Sequence, residues 1–384
     1  MFSGAIIKLT NFCNLNCSYC YMFNLNDDTF KHSLPKMHIQ TAKKLLLEVF
    51  EYCSGSKIKH FALVLHGGEP MLWGYENFAI FFDYYNELKH QYHDININFS
   101  LQTNGYLIDY AILDLFKKNR TTIGISLDGP EKFHDKYRPN HSGLGTYKKI
   151  VNNVDIILDK GYADILGGFL TVVNTEIDVS DYFEWILSLP VKSVDILLPL
   201  HYNYVNTPWD YYNLTEQSYK ETPLIGKWLS DLFLIWYKYD DPNISIRRFK
   251  ETIRYLLGGK HHGDQIVNDK LSLLVIDSDG SIQHHDYFRG LINGVIKTNY
   301  NILNNKIINI QNDLIFKKLF ILKDYLPASC LNCDLKEICG GGFLSGRLKN
   351  NLNDITLYKS VLCYDEYQYY STVSQTVSEE LKVC

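Results

Sequence analysis

The sequence predicts an α/β protein built on a largely parallel sheet. Three observations carry this. Short β-branched apolar runs recur from residue 5 to about residue 200, a longer amphipathic stretch separates each from the next, and the character of the chain changes after Leu200. Strands that alternate with helices imply βαβ units, since parallel neighbours need a crossover long enough to hold a helix. Six such units fit an open six-stranded barrel or a doubly wound sheet. In either, chemistry gathers at the C-terminal ends of the strands.

In order, strands are expected at Ala5–Thr10, Phe61–His66, Ile95–Gln102, Thr122–Leu127, Gly168–Val173 and Ser193–Leu198. The intervening helices are expected at Thr41–Glu51, Glu76–Lys89, Asp109–Lys118, Thr146–Lys160 and Ser180–Leu187. Beyond these, His201–Gln217 is rich in Tyr and Asn, and Trp228–Tyr239 reads as an aromatic helix. Leu271–Ile276, Asp279-Gly280 and Ser281-Ile282 read as a hairpin with a tight turn. Asn-rich loops and a Cys-rich tail follow. The domain boundary is placed near residue 235, giving 1–235 and 236–384.

Composition narrows the function. The 384 residues carry 38 Lys and Arg against 43 Asp and Glu, a formal charge of −5. Such a chain lacks the basic excess that phosphate binding uses, so nucleic acid is not an expected partner. Apolar residues at 46% and charged residues at 21% are those of a globular protein. No uncharged apolar run of membrane-spanning length occurs, and MFSGAIIKLTNFCN has no secretory pattern. The expected location is the cytoplasm, with no membrane association.

The nine cysteines are unevenly placed. Cys13, Cys17 and Cys20 share one loop, Cys330, Cys333, Cys339 and Cys363 lie near the end, and Cys53 and Cys384 stand apart. In a reducing compartment tight clusters favour metal binding over disulfides. Cys53 reads as a small core residue and Cys384 as a chain end. Thiolates are the usual ligands of iron–sulfur clusters, and a four-iron cluster normally takes four. Three in one loop leave one metal position open for a substrate or cosubstrate; zinc also takes thiolates and stays open at this point.

CNLNCSYC, with Tyr21 after it, resembles the C-x3-C-x2-C signature of radical S-adenosylmethionine (SAM) enzymes. Three further segments resemble that family at expected strand ends: His66-Gly67-Gly68-Glu69-Pro70, Thr103-Asn104-Gly105, and Ser126-Leu127-Asp128-Gly129-Pro130 with Arg138 following. The resemblance implies a partial (β/α)6 TIM-type barrel. It also implies a [4Fe-4S] cluster on Cys13, Cys17 and Cys20, whose open iron is chelated by SAM. SAM contacts are then expected from Gly67, Gly68, Glu69, Pro70, Thr103, Asn104, Ser126, Asp128 and Arg138. Electron transfer would cleave SAM to a 5′-deoxyadenosyl radical.

CLNCDLKEICGGG, with Cys363 24 residues after Cys339, resembles the SPASM domain, a small Cys-rich α+β domain holding auxiliary clusters. This implies one auxiliary [4Fe-4S] cluster on Cys330, Cys333, Cys339 and Cys363, although spacing alone leaves zinc open. A second auxiliary cluster is not expected. Phe343 follows the glycines and His285 stands where the hairpin would carry a cysteine. His261, His262, His284 and His285 read as loop histidines rather than ligands. By the same resemblance Asp286 is a candidate substrate-deprotonating base.

HGGEPMLW, DGSIQHHD, CGGGFLSGR (with Arg347) and YKSVLCYDE resemble most the radical SAM/SPASM maturases that form three-residue cyclophanes in ribosomal peptides. That implies a ring-carbon to β-carbon crosslink, a precursor peptide with a leader, and a flavodoxin- or ferredoxin-type electron donor. With the cluster loop starting at residue 13, leader recognition is expected from Tyr202–Tyr239 or the hairpin edge. Alternatives are an anaerobic sulfatase-maturating oxidase, a thioether- or epimer-forming peptide modifier, and, outside catalysis, a zinc-bound scaffold.

Overall fold

In the computed structural model, which describes residues 1–261 and 265–383, one ten-stranded sheet organises the chain. His262 and Cys384 lie outside the described residues. The six expected strands form as β1 (Gly4–Thr10), β2 (His60–Gly67), β3 (Asn96–Thr103), β4 (Thr122–Ser126), β5 (Leu166–Val172) and β6 (Ser193–Leu197). They lie side by side in sequence order, all parallel.

The crossovers are α1 (Ile39–Gly55), α2 (Tyr75–Gln91), α3 (Tyr110–Lys118), α4 (Glu131–Tyr137) with α5 (Tyr147–Asp159), and α6 (Val179–Ser188). Helix α1 starts two residues earlier than expected, where the His38 ring accepts the Gln40 N–H as a cap. Asp109 caps α3 by accepting from the Ala111 and Ile112 amides. The seven-residue α4 is too short for its periodicity to stand out in sequence.

The sheet extends at both edges. A two-residue β7 (Ser245–Ile246) adds beyond β6. At the other edge β8 (Leu273–Ile276) pairs parallel with β1, and β9 (Ser281–Gln283) and β10 (Lys297–Asn301) follow antiparallel. The expected hairpin is therefore continuous with the N-terminal sheet, its turn closed by Gly280 at φ 85°. Helix Leu224–Tyr239 runs through residue 235 and packs against helix Cys363–Val383.

Strand alternation divides the sheet into two unlike faces. Ala5, Ile7 and Leu9 of β1, Leu63 and Leu65 of β2, and Phe99 and Leu101 of β3 are buried in the core with the helices, as is Cys53. The opposite face carries Lys8, His66, Gln102 and Ser126. Lys8 is paired in register with His66, and the Gln102 amide donates to Ser126 Oγ at 2.9 Å. A polar stripe thus crosses the strands near their C-terminal ends.

Candidate active site

The loop after β1 carries Cys13, Cys17 and Cys20 and packs against the segment after α4. Asn16 N–H donates to the Pro139 carbonyl at 2.8 Å, Ser18 N–H to Tyr137 at 3.0 Å, and Leu15 bridges Asn140. The three thiols are close enough to influence one another. Burial pushes Cys13 up to about 12 and Cys17 up to about 11, and raises Cys20. Against this stand donors suited to thiolates: Leu15 N–H and Asn104 Nδ2 on Cys13, the Met22 and Phe23 amides at Cys20, and the Arg138 guanidinium beside Cys17.

The neighbouring turns are built around this loop. Gly67 and Gly68 press their backbones against it; a Cβ at Gly67 would meet the Thr10 carbonyl at 2.5 Å, and one at Gly68 would collide with the Phe12 carbonyl. Pro70 opens the turn that follows. Glu69 is fully buried, and its carboxylate accepts from Met71 N–H (2.9 Å), Thr103 Oγ1 (2.7 Å) and Asn104 N–H (2.8 Å). It ties the end of β2 to the end of β3, so most of its capacity is spent inside the chain. Asp128 is likewise engaged, by Tyr19, by Val172 N–H at 3.1 Å, and by Arg138 at 3.7 Å.

Two donors are not engaged. Arg138 Nε and Asn14 Nδ2 are buried with no hydrogen-bond partner among the described residues. Orphaned buried donors are rare in native proteins, and here they lie at the three thiols and call for an anionic or carbonyl ligand. Three thiols, Cys17 buried and Cys13 and Cys20 half-buried, with amide donors beside them and two waiting donors, fit a thiolate-held cluster and the carboxylate of SAM. Among the described residues no three Cys, His, Asp or Glu side chains close on one point as a single ion requires. Cluster ligands, by contrast, sit on separate irons.

The candidate base Asp286 comes to the same end of the sheet. The β8–β9 hairpin is clamped across the loop after β1: Asn11 Nδ2 donates to Asp277 Oδ1 at 2.7 Å, and Arg289 pairs with Asp27 at 3.0 Å, all four buried. Asp286 Oδ2 accepts from Lys8 Nζ at 2.5 Å and from the Tyr21 hydroxyl at 3.2 Å. Lys8 also donates to Tyr21 Oη at 2.9 Å and lies 3.4 Å from His66 Nδ1. Burial alone would raise the Asp286 carboxyl, but Lys8 and Arg289 outweigh it and hold the group at about 2. Burial lowers His66 to about 3, so its imidazole is neutral. Lys8 is the residue that sequence reading passed over. Its signal was present: one cation inside the apolar run AIIKLT.

Toward the C-terminus, Cys330, Cys333, Cys339 and Cys363 lie within electrostatic reach of one another. Cys339 is raised by burial and feels Cys363 and Cys330, while Cys363, pushed to about 11, feels Cys330 and Cys333. Gly340, Gly341 and Gly342 all have positive φ, a run only glycine adopts freely. Arg347 is wholly buried beside the thiols and donates to the Gly340, Gly341 and Ile355 carbonyls. His284 and His285 are buried rather than loop-exposed; His284 packs on Phe316, and His285 on Tyr287 at 4.3 Å. Phe343 is 0% exposed and meets Tyr287 edge-on at 5.0 Å. Aromatic packing thus occupies the ground between His285 and the CGGG turn. Phe343→Ala is expected to cost about 3–5 kcal/mol in urea unfolding; a cost under about 1 kcal/mol would show that Phe343 is not packed in this way.

Comparison with known proteins adds to this. Residues 7–186 match the radical SAM superfamily. That segment is the radical SAM part of the chain. This radical SAM enzyme is 28% identical over 383 residues to the cysteine-type anaerobic sulfatase-maturating enzyme of Clostridium perfringens (strain 13), covering 94% of this chain and 93% of that one. It is 23% identical over 376 residues to the serine-type enzyme of Bacteroides thetaiotaomicron, covering 94% and 87%. Its fold is that of native anSMEcpe with bound AdoMet (TM-score 0.81, 23% identity, 98% of both chains) and of the same protein with AdoMet and Kp18Cys peptide (TM-score 0.81, 23% identity, 99% of both). No described helix is long and apolar enough to cross a membrane.

Proposed function

We propose that this chain oxidises a side chain within a peptide or protein segment, as a maturase of the sulfatase-maturating type. The observation that carries the reading is the Asp286 carboxylate, ionised and buried at the strand ends beside the cluster loop, with one oxygen unpartnered among the described residues. An oxidation that begins by removing a hydrogen atom from carbon must also shed a proton and an electron; a fixed carboxylate is the acceptor of the proton, and the auxiliary cluster, when bound, would take the electron. The cluster and SAM, when bound, would supply the adenosyl radical that takes the hydrogen atom.

Cys13, Cys17 and Cys20 would hold the cluster. Gly67, Gly68, Pro70, Thr103, Asn104, Ser126 and Arg138 would form the SAM cradle, with Arg138 Nε as a donor to its carboxylate. Glu69 and Asp128 would act chiefly by fixing that cradle. Residues 1–235 would form a partial barrel. Residues 236–384 would hold one auxiliary cluster on Cys330, Cys333, Cys339 and Cys363, reached by a flavodoxin- or ferredoxin-type donor in the cytoplasm.

The packing of His285, Tyr287 and Phe343 favours a second reading, the cyclophane-forming maturases of ribosomal precursor peptides, whose motifs lack a second auxiliary cluster. Tandem mass spectrometry separates the two. The loaded enzyme is offered a synthetic cysteine-containing sulfatase peptide and, separately, any small aromatic-containing peptide encoded beside it. Oxidation confined to the cysteine supports the first reading, and a ring-to-β-carbon crosslink the second. 5′-Deoxyadenosine released with both peptides unchanged would count against both.

A further inference from the structure

Lys8 is a costly residue to place where it is. It is 0% exposed in a strand otherwise lined by Ile6, Ile7 and Leu9, and burying an ammonium is unfavourable unless it is paired and hydrogen-bonded. It satisfies that demand in one way: Nζ reaches Asp286 Oδ2, Tyr21 Oη and His66 Nδ1, joining β1, the cluster loop, β2 and the segment after the hairpin. His66 Nδ1 also accepts the Gly67 N–H at 2.7 Å. A neutral imidazole with Nδ1 as acceptor carries its proton on Nε2. Asp286, itself 6% exposed, has a second oxygen, Oδ1, with no hydrogen-bond partner among the described residues.

The two oxygens of Asp286 are therefore unequal. Oδ2 is committed to Lys8 and Tyr21; Oδ1 is a buried acceptor left open, which native structures seldom tolerate without a ligand. We propose that Lys8 is the positioning residue of this site, holding Asp286 ionised by Oδ2 so that Oδ1 is presented to the substrate as the proton acceptor. This rests on the maturase reading and adds to it the group that keeps the acceptor charged.

The electrostatics agree when every neighbour is counted. Lys8 comes from β1, Tyr21 from the cluster loop, His66 from β2, and His285 and Arg289 from the segment of Asp286 itself. Asp277 also faces Lys8. Arg289 is already paired with Asp27 and His66 is neutral, so Lys8 is the principal counter-charge at Asp286. Without it, burial dominates, and a buried carboxyl climbs toward or past neutrality.

Lys8→Met tests this with two readouts. The first is the ratio of modified sulfatase peptide to 5′-deoxyadenosine between about pH 6 and pH 9. The wild type should show no acid limb, whereas Lys8→Met should fall about tenfold at the acid end and recover at the alkaline end. The second is infrared spectroscopy of the cluster-free protein. Burial pushes Asp365 and Glu366 up to about 7, so they give a common background at about pH 6; an additional protonated-carboxyl band should appear in Lys8→Met over the wild type and be missing from Lys8→Met/Asp286→Asn. Lys8→Gln, which keeps a donor toward Oδ2 without charge, should behave the same and serves if Lys8→Met is insoluble. A loss of product that does not vary with pH, or no additional carboxyl band, would overturn the proposal. A wild type that modifies no peptide would sink the maturase reading instead, with the infrared result still judging Lys8.

Discussion

Cys17→Ala is expected to reduce 5′-deoxyadenosine formation to background while leaving the fold in place. Cys17 is buried between Cys13, Cys20 and Arg138, and its removal takes one of only three thiols in the loop. Truncation of so small a side chain costs about 1 kcal/mol, which a domain of this size survives. Iron after anaerobic reconstitution should fall from about eight to about four per chain, because the four C-terminal cysteines are untouched. Metal analysis beside chromatography of the nucleoside products checks both numbers. A variant that keeps its full iron, or still forms the deoxynucleoside, would show that Cys13, Cys17 and Cys20 do not hold the reactive cluster.

The second large effect is at Asp286. Asp286→Asn keeps the shape and an oxygen toward Lys8 but cannot take up a proton. Loss of a general base costs roughly 10²- to 10⁴-fold, so modified peptide should fall by at least about 10²-fold while 5′-deoxyadenosine continues to form. The same variant has a stability signature. The folded carboxyl is held at about 2, below its ordinary 3.8. Its contribution is thus present above about pH 4 and lost as the pH falls through about 2, on the order of 2 kcal/mol in all. Asp286→Asn should start less stable at neutral pH and lose less on acidification than the wild type. Equal acid-unfolding curves would mean that the Lys8–Asp286 pair contributes nothing to the folded state.

Much of this was legible in the sequence because its signals are local. The strands of the first half announce themselves as β-branched runs whose ends carry CNLNCSYC, HGGEP, TNG and SLDG, and all six form in order. What was hidden is long-range. Nothing near Lys8 in sequence says that a hairpin 270 residues on will seal the edge of β1 and deliver Asp286 to it; only the register of Gly4–Ile7 with Leu273–Ile276 does so. Glu69 shows the converse. Its motif marks it for a ligand, yet the fold uses its carboxylate to tie two strand ends together. The aromatic packing of Phe343 was also invisible, since an absent cysteine does not say what fills its place.

We propose, then, that this sheet carries radical chemistry onto a peptide side chain. It is tested most directly by anaerobically reconstituting the wild-type protein, adding dithionite, SAM and the cysteine-containing sulfatase peptide, and quantifying 5′-deoxyadenosine and modified peptide by mass spectrometry. About eight irons per chain are expected, with deoxyadenosine formed in step with an oxidised peptide. Fully iron-loaded protein that forms no deoxyadenosine would contradict the proposal.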